Sequence, residues 1–191
     1  MNWIKGRKED IINVELIDVK RNTYSIKYAV RDYTPSEEER SEEHSIIPDC
    51  EYLEFIHTGN MNTFELKQLL LASMVEFDES DEVNAFFING AKAWVSRDDR
   101  VSLMNSIKIL EEAGTTEYTV WLNGISYTLP ITFIKDFLVQ IEQYAMSCYN
   151  VTEQHKADIN ALNNRNAILN YKIHTGYPPM LNFNTEDLID D

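Results

Sequence analysis

Apolar residues cluster early in the chain in a way that points to strands. β-Branched and aromatic residues fill residues 11–33 on both sides of Lys20-Arg21-Asn22, whose polar and Asn chemistry favours a turn, so a β-hairpin is predicted there. A further strand is predicted at residues 51–57, closed by Thr58-Gly59-Asn60. Asn62 and Glu65 then have the spacing of a capping box, and Phe64, Leu66, Leu69, Leu70 and Met74 fit one face of the helix it would open. Residues 34–43 are rich in carboxylates and hydroxyls around Pro35, the composition of a linker or a solvated helix.

The signals sharpen after residue 84. Ala85-Phe86-Phe87-Ile88 and Ala91-Lys92-Ala93-Trp94-Val95 flank Asn89-Gly90, the pair preferred in two-residue type I′ hairpin turns. Ser96 offers an N-cap hydroxyl, Asp98 and Asp99 suit the positive first turn, and Val101, Met104, Ile107 and Leu110 predict an apolar helix stripe. Gly114 ends that helix.

The same order returns at an offset of 34 residues, with Asn123-Gly124 between Tyr118-Thr119-Val120-Trp121-Leu122 and Ile125-Ser126-Tyr127-Thr128-Leu129. Aligning the two turns sets Phe87 on Trp121, Ile88 on Leu122, Val95 on Leu129, Leu103 on Phe137, Met104 on Leu138 and Ile107 on Ile141, which implies an internal ββα repeat. Pro130 opens the second helix, whose Ile134, Phe137, Leu138, Ile141, Tyr144, Ala145 and Cys148 recur at core spacing. Thr152 is placed to cap another helix reaching Leu162, followed after Asn163-Asn164 by a short helical piece at residues 167–171.

These elements predict an α+β protein in which two Asn-Gly hairpins form a four-stranded antiparallel sheet covered on one face by helices. A small α+β front module precedes it. The expected divisions are residues 1–83, 84–183 and an acidic tail at 184–191 that only Leu188 and Ile189 could anchor. Charge follows the same division: residues 1–83 carry 19 acidic and 9 basic side chains, against 13 and 8 in the remainder.

The net charge of −15 opposes binding to a phosphate backbone, so nucleic acid is not expected as a partner. No apolar run is long enough for a signal core or a membrane span, which points away from a membrane and towards synthesis in a cytosol. Cys50 and Cys148 follow no metal-ligand spacing, and His44, His57, His155 and His174 form no zinc-like pairing, so no metal is expected. The six glycines sit singly at turns, without the Gly-rich loop that cradles phosphates, and no cofactor is expected. No catalytic constellation emerges, and Cys148 reads as an inert thiol on a buried stripe.

Candidate protein-binding residues are therefore the ones to follow: Trp94, Arg100, Trp121 and Tyr127. Core packing is the favoured reading of both tryptophans, with an exposed binding anchor as the alternative. Arg100 is expected to fork onto a carboxylate such as Asp98 or Glu117.

Trp94-Val95-Ser96-Arg97-Asp98-Asp99-Arg100-Val101-Ser102-Leu103, Glu117-Tyr118-Thr119-Val120-Trp121, the Tyr144-to-His155 run with Val151-Thr152-Glu153-Gln154-His155, and Thr175-Gly176-Tyr177-Pro178 with Leu181-Asn182-Phe183 together resemble an uncharacterised domain of phages and prophages of gut bacteria, over about residues 84–183. Pro179 stands where that resemblance leads one to expect an acidic residue, and the chain runs on for an acidic octapeptide. The resemblance implies a small non-enzymatic module associated with tail-fibre or tail-assembly proteins. It also implies another phage structural protein as partner, a location in the bacterial host cytoplasm on synthesis, and a place in the virion for a structural component. An alternative expectation, from charge alone, is a host-directed adaptor or inhibitor whose acidic stretches at 36–43 and 76–82 occupy a basic protein surface.

Overall fold

The computed structural model describes residues 3–37 and 47–185. Most of the acidic stretch at 36–43 and most of the acidic tail, with Leu188 and Ile189, lie outside the described residues. The chain is mixed α+β and packs as two units, each with its own core.

The first unit takes the chain up to Glu82 together with Asn150–Tyr177. Its sheet is antiparallel in the order β1-β4-β3-β2, with β1 at Ile4–Gly6, β2 at Val14–Asp18, β3 at Thr23–Asp32 and β4 at Cys50–Thr58. The β2–β3 turn forms because Asp18 Oδ1 accepts from the N–H groups of Lys20 and Arg21 at 2.9 and 3.1 Å, while Asn22 takes the left-handed backbone at φ 47°. Helix α1, Thr63–Asp78, opens on the expected capping box, with Asn62 and Glu65 each bonding the other's backbone N–H. Leu66, Leu70 and Met74 are fully buried against Val14, Tyr24 and Ile26 of the sheet, about 1.5–3 kcal/mol for each side chain removed from water. Phe64, expected on the same face, is 68% exposed, because it falls outside the 66/70/74 row that meets the strands.

Glu82, at the end of the acidic stretch at 76–82, is buried in the short helix α2, Asp81–Asn84. Its carboxylate contacts Lys8 Nζ and accepts from the Asp32 N–H at 2.8 Å, and Lys8 lies 2.5 Å from Asp32 Oδ1. Burial acts against the Lys8 ammonium, but its hydrogen bonds to Asp32 and Glu82 outweigh that and raise its pKa.

The second unit comprises Val83–Tyr149 and the segment from Pro178 on. Both Asn-Gly turns form as expected, with Asn89 and Asn123 at φ 49° and Gly90 and Gly124 at 76° and 79°. Each hairpin precedes a helix: β5 Phe86–Ile88 and β6 Ala91–Ala93 before α3, Arg97–Glu112, and β7 Glu117–Leu122 and β8 Ile125–Pro130 before α4, Ile131–Ala161. Ser96 caps α3 by accepting from the Asp99 N–H at 3.1 Å.

The two hairpins do not join in the expected four-stranded sheet. A three-stranded sheet has the order β6-β5-β9, with β9 at Asn182–Phe183, and β7 pairs only with β8 among the described residues. The edges explain the separation. One edge of β5 is occupied by β9, which runs parallel to it with Phe87 opposite Asn182 and Ile88 opposite Phe183. On β6 the Lys92 carbonyl accepts from the side-chain amide of Asn123 at 2.7 Å, so a turn residue of the second hairpin meets that strand where a ladder would have run.

The stripe on α3 also differs from the expected one. Ile107 is buried with Leu103 and Leu110 packed beside it, while Val101 is 55% exposed. At about 100° per residue, Leu103 and Leu110 lie on one side of Ile107 and Met104 and Val101 on the other, and the core takes the first side. On α4 the expected stripe holds: Ile134, Phe137, Leu138, Ile141, Tyr144 and Cys148 are buried. Phe86, Phe137 and Phe183 meet edge to face there, with centroids 4.7–5.8 Å apart.

Thr152 caps no new helix. The 31 residues of α4 contain neither Gly nor Pro, so the helix continues through Asn150 and hands its last turns to the first unit. A break follows, and Asn164 caps α5, Arg165–Leu169, two residues earlier than expected. Residues 150–177 accordingly pack with the front module, which redraws the expected division at 84–183: Ile159, Ile168 and Ile173 complete the core over α1 that the first 82 residues leave half built.

Candidate protein-binding surface

Strand alternation on β7–β8 separates an inner from an outer face. Val120 and Leu122 point inward with Leu129, and the outer face carries Thr119 opposite Thr128 and Trp121 opposite Ser126. Thr119 and Thr128 hydroxyls lie 2.9 Å apart. Trp121 is 69% exposed on this polar strip, so the core reading does not hold for it. The reason is register: a tryptophan next to buried Val120 and Leu122 must take the other face.

Tyr127 pairs with Val120 and lies on the inner face, half-buried against the core. Trp121 and Tyr127 therefore belong to opposite sides of one hairpin and cannot anchor the same partner surface. Trp94, just beyond β6, is 45% exposed between buried Ala93 and Val95, for the same alternation reason.

Arg100 does not fork onto Asp98 or Glu117. Its Nε donates to Glu142 Oε2 at 2.9 Å and its Nη1 to the Val95 carbonyl at 2.9 Å, which ties α3 to α4 and to the end of the first hairpin. Asp98 lies on the N-terminal turn of α3 and Glu117 at the start of β7; α4 presents its carboxylate one helix away, where a long side chain reaches it. Arg100 is a fastening residue.

Sequence reading missed a cluster in the first unit. His155 Nε2 donates to the Thr175 carbonyl at 2.8 Å, Nδ1 hydrogen-bonds with the Tyr171 hydroxyl at 2.7 Å, and the imidazole stacks on Tyr177. Burial, with Asp158 nearby, pushes the Tyr171 phenol up to about 12. Every polar atom of His155 is satisfied, so this is a clasp on the 171–177 segment. The spacing Val151-Thr152-x2-His155 with Thr175-Gly176-Tyr177 was its only trace in the sequence.

Among the described residues no three His, Cys, Asp or Glu side chains stand close enough to hold a metal ion, and no helix is long and apolar enough to cross a membrane. Both cysteines are buried and unpaired with one another. Compared with protein-family models, curated proteins and solved structures, the chain matches none.

Proposed function

We propose that the chain is a non-enzymatic accessory protein of a phage or prophage, associated with a tail or tail fibre or with fibre assembly, and that it binds another phage structural protein through the outer face of β7–β8. The phage assignment draws on the resemblance over residues 84–183. The single observation that supports a binding role for this face is Trp121, a large aromatic 69% exposed beside Thr119, Ser126 and Thr128, with Glu117 and Pro130 at the far end of the strip. Aromatic anchors of this kind, ringed by small polar residues that exclude water, carry most of the energy in many interfaces, about 2 kcal/mol or more each. The unpaired outer edges of β7 and β8 among the described residues offer a partner strand its backbone hydrogen bonds.

The test is mass spectrometry of purified particles and of infected-cell lysate, with the wild-type chain and with Trp121→Ser. Recovery of the wild-type chain with particles or with an unassembled fibre protein, and at least tenfold less of the variant, is the expected result. Equal recovery of both forms would remove Trp121 from the reading. Failure of the wild-type chain to associate with either would remove the phage-structural role.

A further inference from the structure

The first unit contains a cavity of about 250 Å³ between the sheet and α1, walled by Trp3, Tyr28 and Phe77. Asn13 and His174 line it. Asn13 is 1% exposed, and its Nδ2 donates to the Lys27 carbonyl at 3.3 Å, which fixes the orientation of the amide and turns Oδ1 away. The same Nδ2 lies 3.5 Å from His174 Nε2. An amide NH₂ can only donate, so Nε2 is the acceptor and the neutral imidazole carries its proton on Nδ1.

Neither Asn13 Oδ1 nor His174 Nδ1 has a hydrogen-bond partner, although both are buried. An unmade bond at such a group costs about 1–3 kcal/mol, and buried orphans are uncommon enough to require a reason. The two residues that carry this orphaned acceptor and donor both line one cavity.

The walls are held in place. The Arg31 guanidinium sits 3.7 Å from the Trp3 ring centroid, and Phe77 meets the His174 ring edge to face at 4.5 Å. Ala29, also in the wall, holds a φ of 50° at the irregularity between Tyr28 and Arg31 in β3, a conformation that a non-glycine residue keeps only when its surroundings enforce it.

We propose that this cavity binds a small, flat, uncharged molecule presenting a hydrogen-bond donor beside an acceptor, the edge of a lactam or a primary carboxamide, with the donor to Asn13 Oδ1 and the acceptor to His174 Nδ1–H. Size fits, since a cavity of about 150 Å³ accepts benzene and this one is larger by enough for the polar edge. Aromatic walls fit a planar ring. Charge also selects: Glu76 and Asp81 line the cavity against an anion, whereas Arg31 in the lining and nearby Lys8 oppose a cation. His174 stays neutral at physiological pH, because burial first, then Lys8 and His155, lower its pKa to about 4.

The experiment is a ¹H–¹⁵N NMR titration of the full chain with uracil and with nicotinamide, benzoate and benzylamine serving as charged controls. Saturable shifts of the Asn13 side-chain amide and the Trp3 indole with a neutral probe, and none with the controls, are expected. His174→Gln should weaken the binding at least tenfold while near-UV circular dichroism stays unchanged. If that variant does not fold, the wild-type titration decides alone. No shift with either neutral probe up to its solubility limit, or equal shifts with the charged controls, overturns the proposal.

Discussion

Thr152 Oγ1 and Tyr177 Oη lie 2.8 Å apart, and the direction of their hydrogen bond is set by a third group. The Thr152 hydroxyl donates its single proton to Asp78 Oδ1 at 2.7 Å, so Tyr177 must be the donor to Thr152. The chain tyrosine–threonine–carboxylate joins α4, the 171–177 segment and the end of α1. Thr152 is fully buried, where hydrogen-bonded side chains are the rule.

Thr152→Val keeps the shape and removes both bonds. It should lower stability by about 1–3 kcal/mol, since it takes an acceptor from the Tyr177 hydroxyl and a donor from Asp78. Tyr177→Phe should cost about 1 kcal/mol, and the double variant less than the sum of the two, because they share one bond. Urea unfolding of the four proteins measures this. Additive losses would show that the hydroxyls do not act as a pair.

His174 gives a pH dependence whose sign follows from its lowered pKa of about 4. The unfolded chain takes up a proton on this residue below about 6.5, and the folded chain does so only near 4. Between those values the unfolded state binds more protons, so stability falls as pH falls from 6.5 to 4, by up to about 3 kcal/mol from this group, and levels off below. Urea midpoints at pH 7 and pH 4.5 test it, with His174→Gln as reference. The pH-induced loss should be smaller in the variant; an equal loss would assign it to carboxylates.

Local chemistry made much of the fold legible. Asn-Gly turns, the Asn62–Glu65 box and the Ser96 cap are each complete within four residues of sequence, so residue type alone specifies them. What escaped depends on distant partners. Thr152 carries the hydroxyl that a cap also requires, and only its neighbours Asp78 and Tyr177 show that it serves a buried bond. Asn13 and His174 stand 161 residues apart in sequence, and neither has a local signal. The exposure of Trp94 and Trp121 is hidden for a simpler reason: an aromatic in a strand is ambiguous until the register of the hairpin says which face it takes.

Cys50 and Cys148 are both buried, and burial first, then Asp49, pushes the Cys50 thiol up to about 11. The thiolate is the reactive form, so both residues should resist an excess of a thiol-specific disulfide reagent in the native protein and react fully in urea. Counting released chromophore in the two conditions checks it. Rapid native labelling of Cys50, followed by peptide mapping, would contradict its place opposite Gly6 and Asp32 in the sheet.

Tyr24 makes the opposite case to Thr152. Its ring is fully buried under α1, with the Arg165 guanidinium 5.3 Å from the centroid, yet its hydroxyl has no hydrogen-bond partner. Tyr24→Phe retains the ring and the cation–π contact and removes an unsatisfied polar group, so stability should rise by up to about 1 kcal/mol. The urea midpoint should move upward with an unchanged slope. A loss of more than about 1 kcal/mol would mean that the hydroxyl is paired in solution, with an internal water or with one of its polar neighbours, Arg165 or His57.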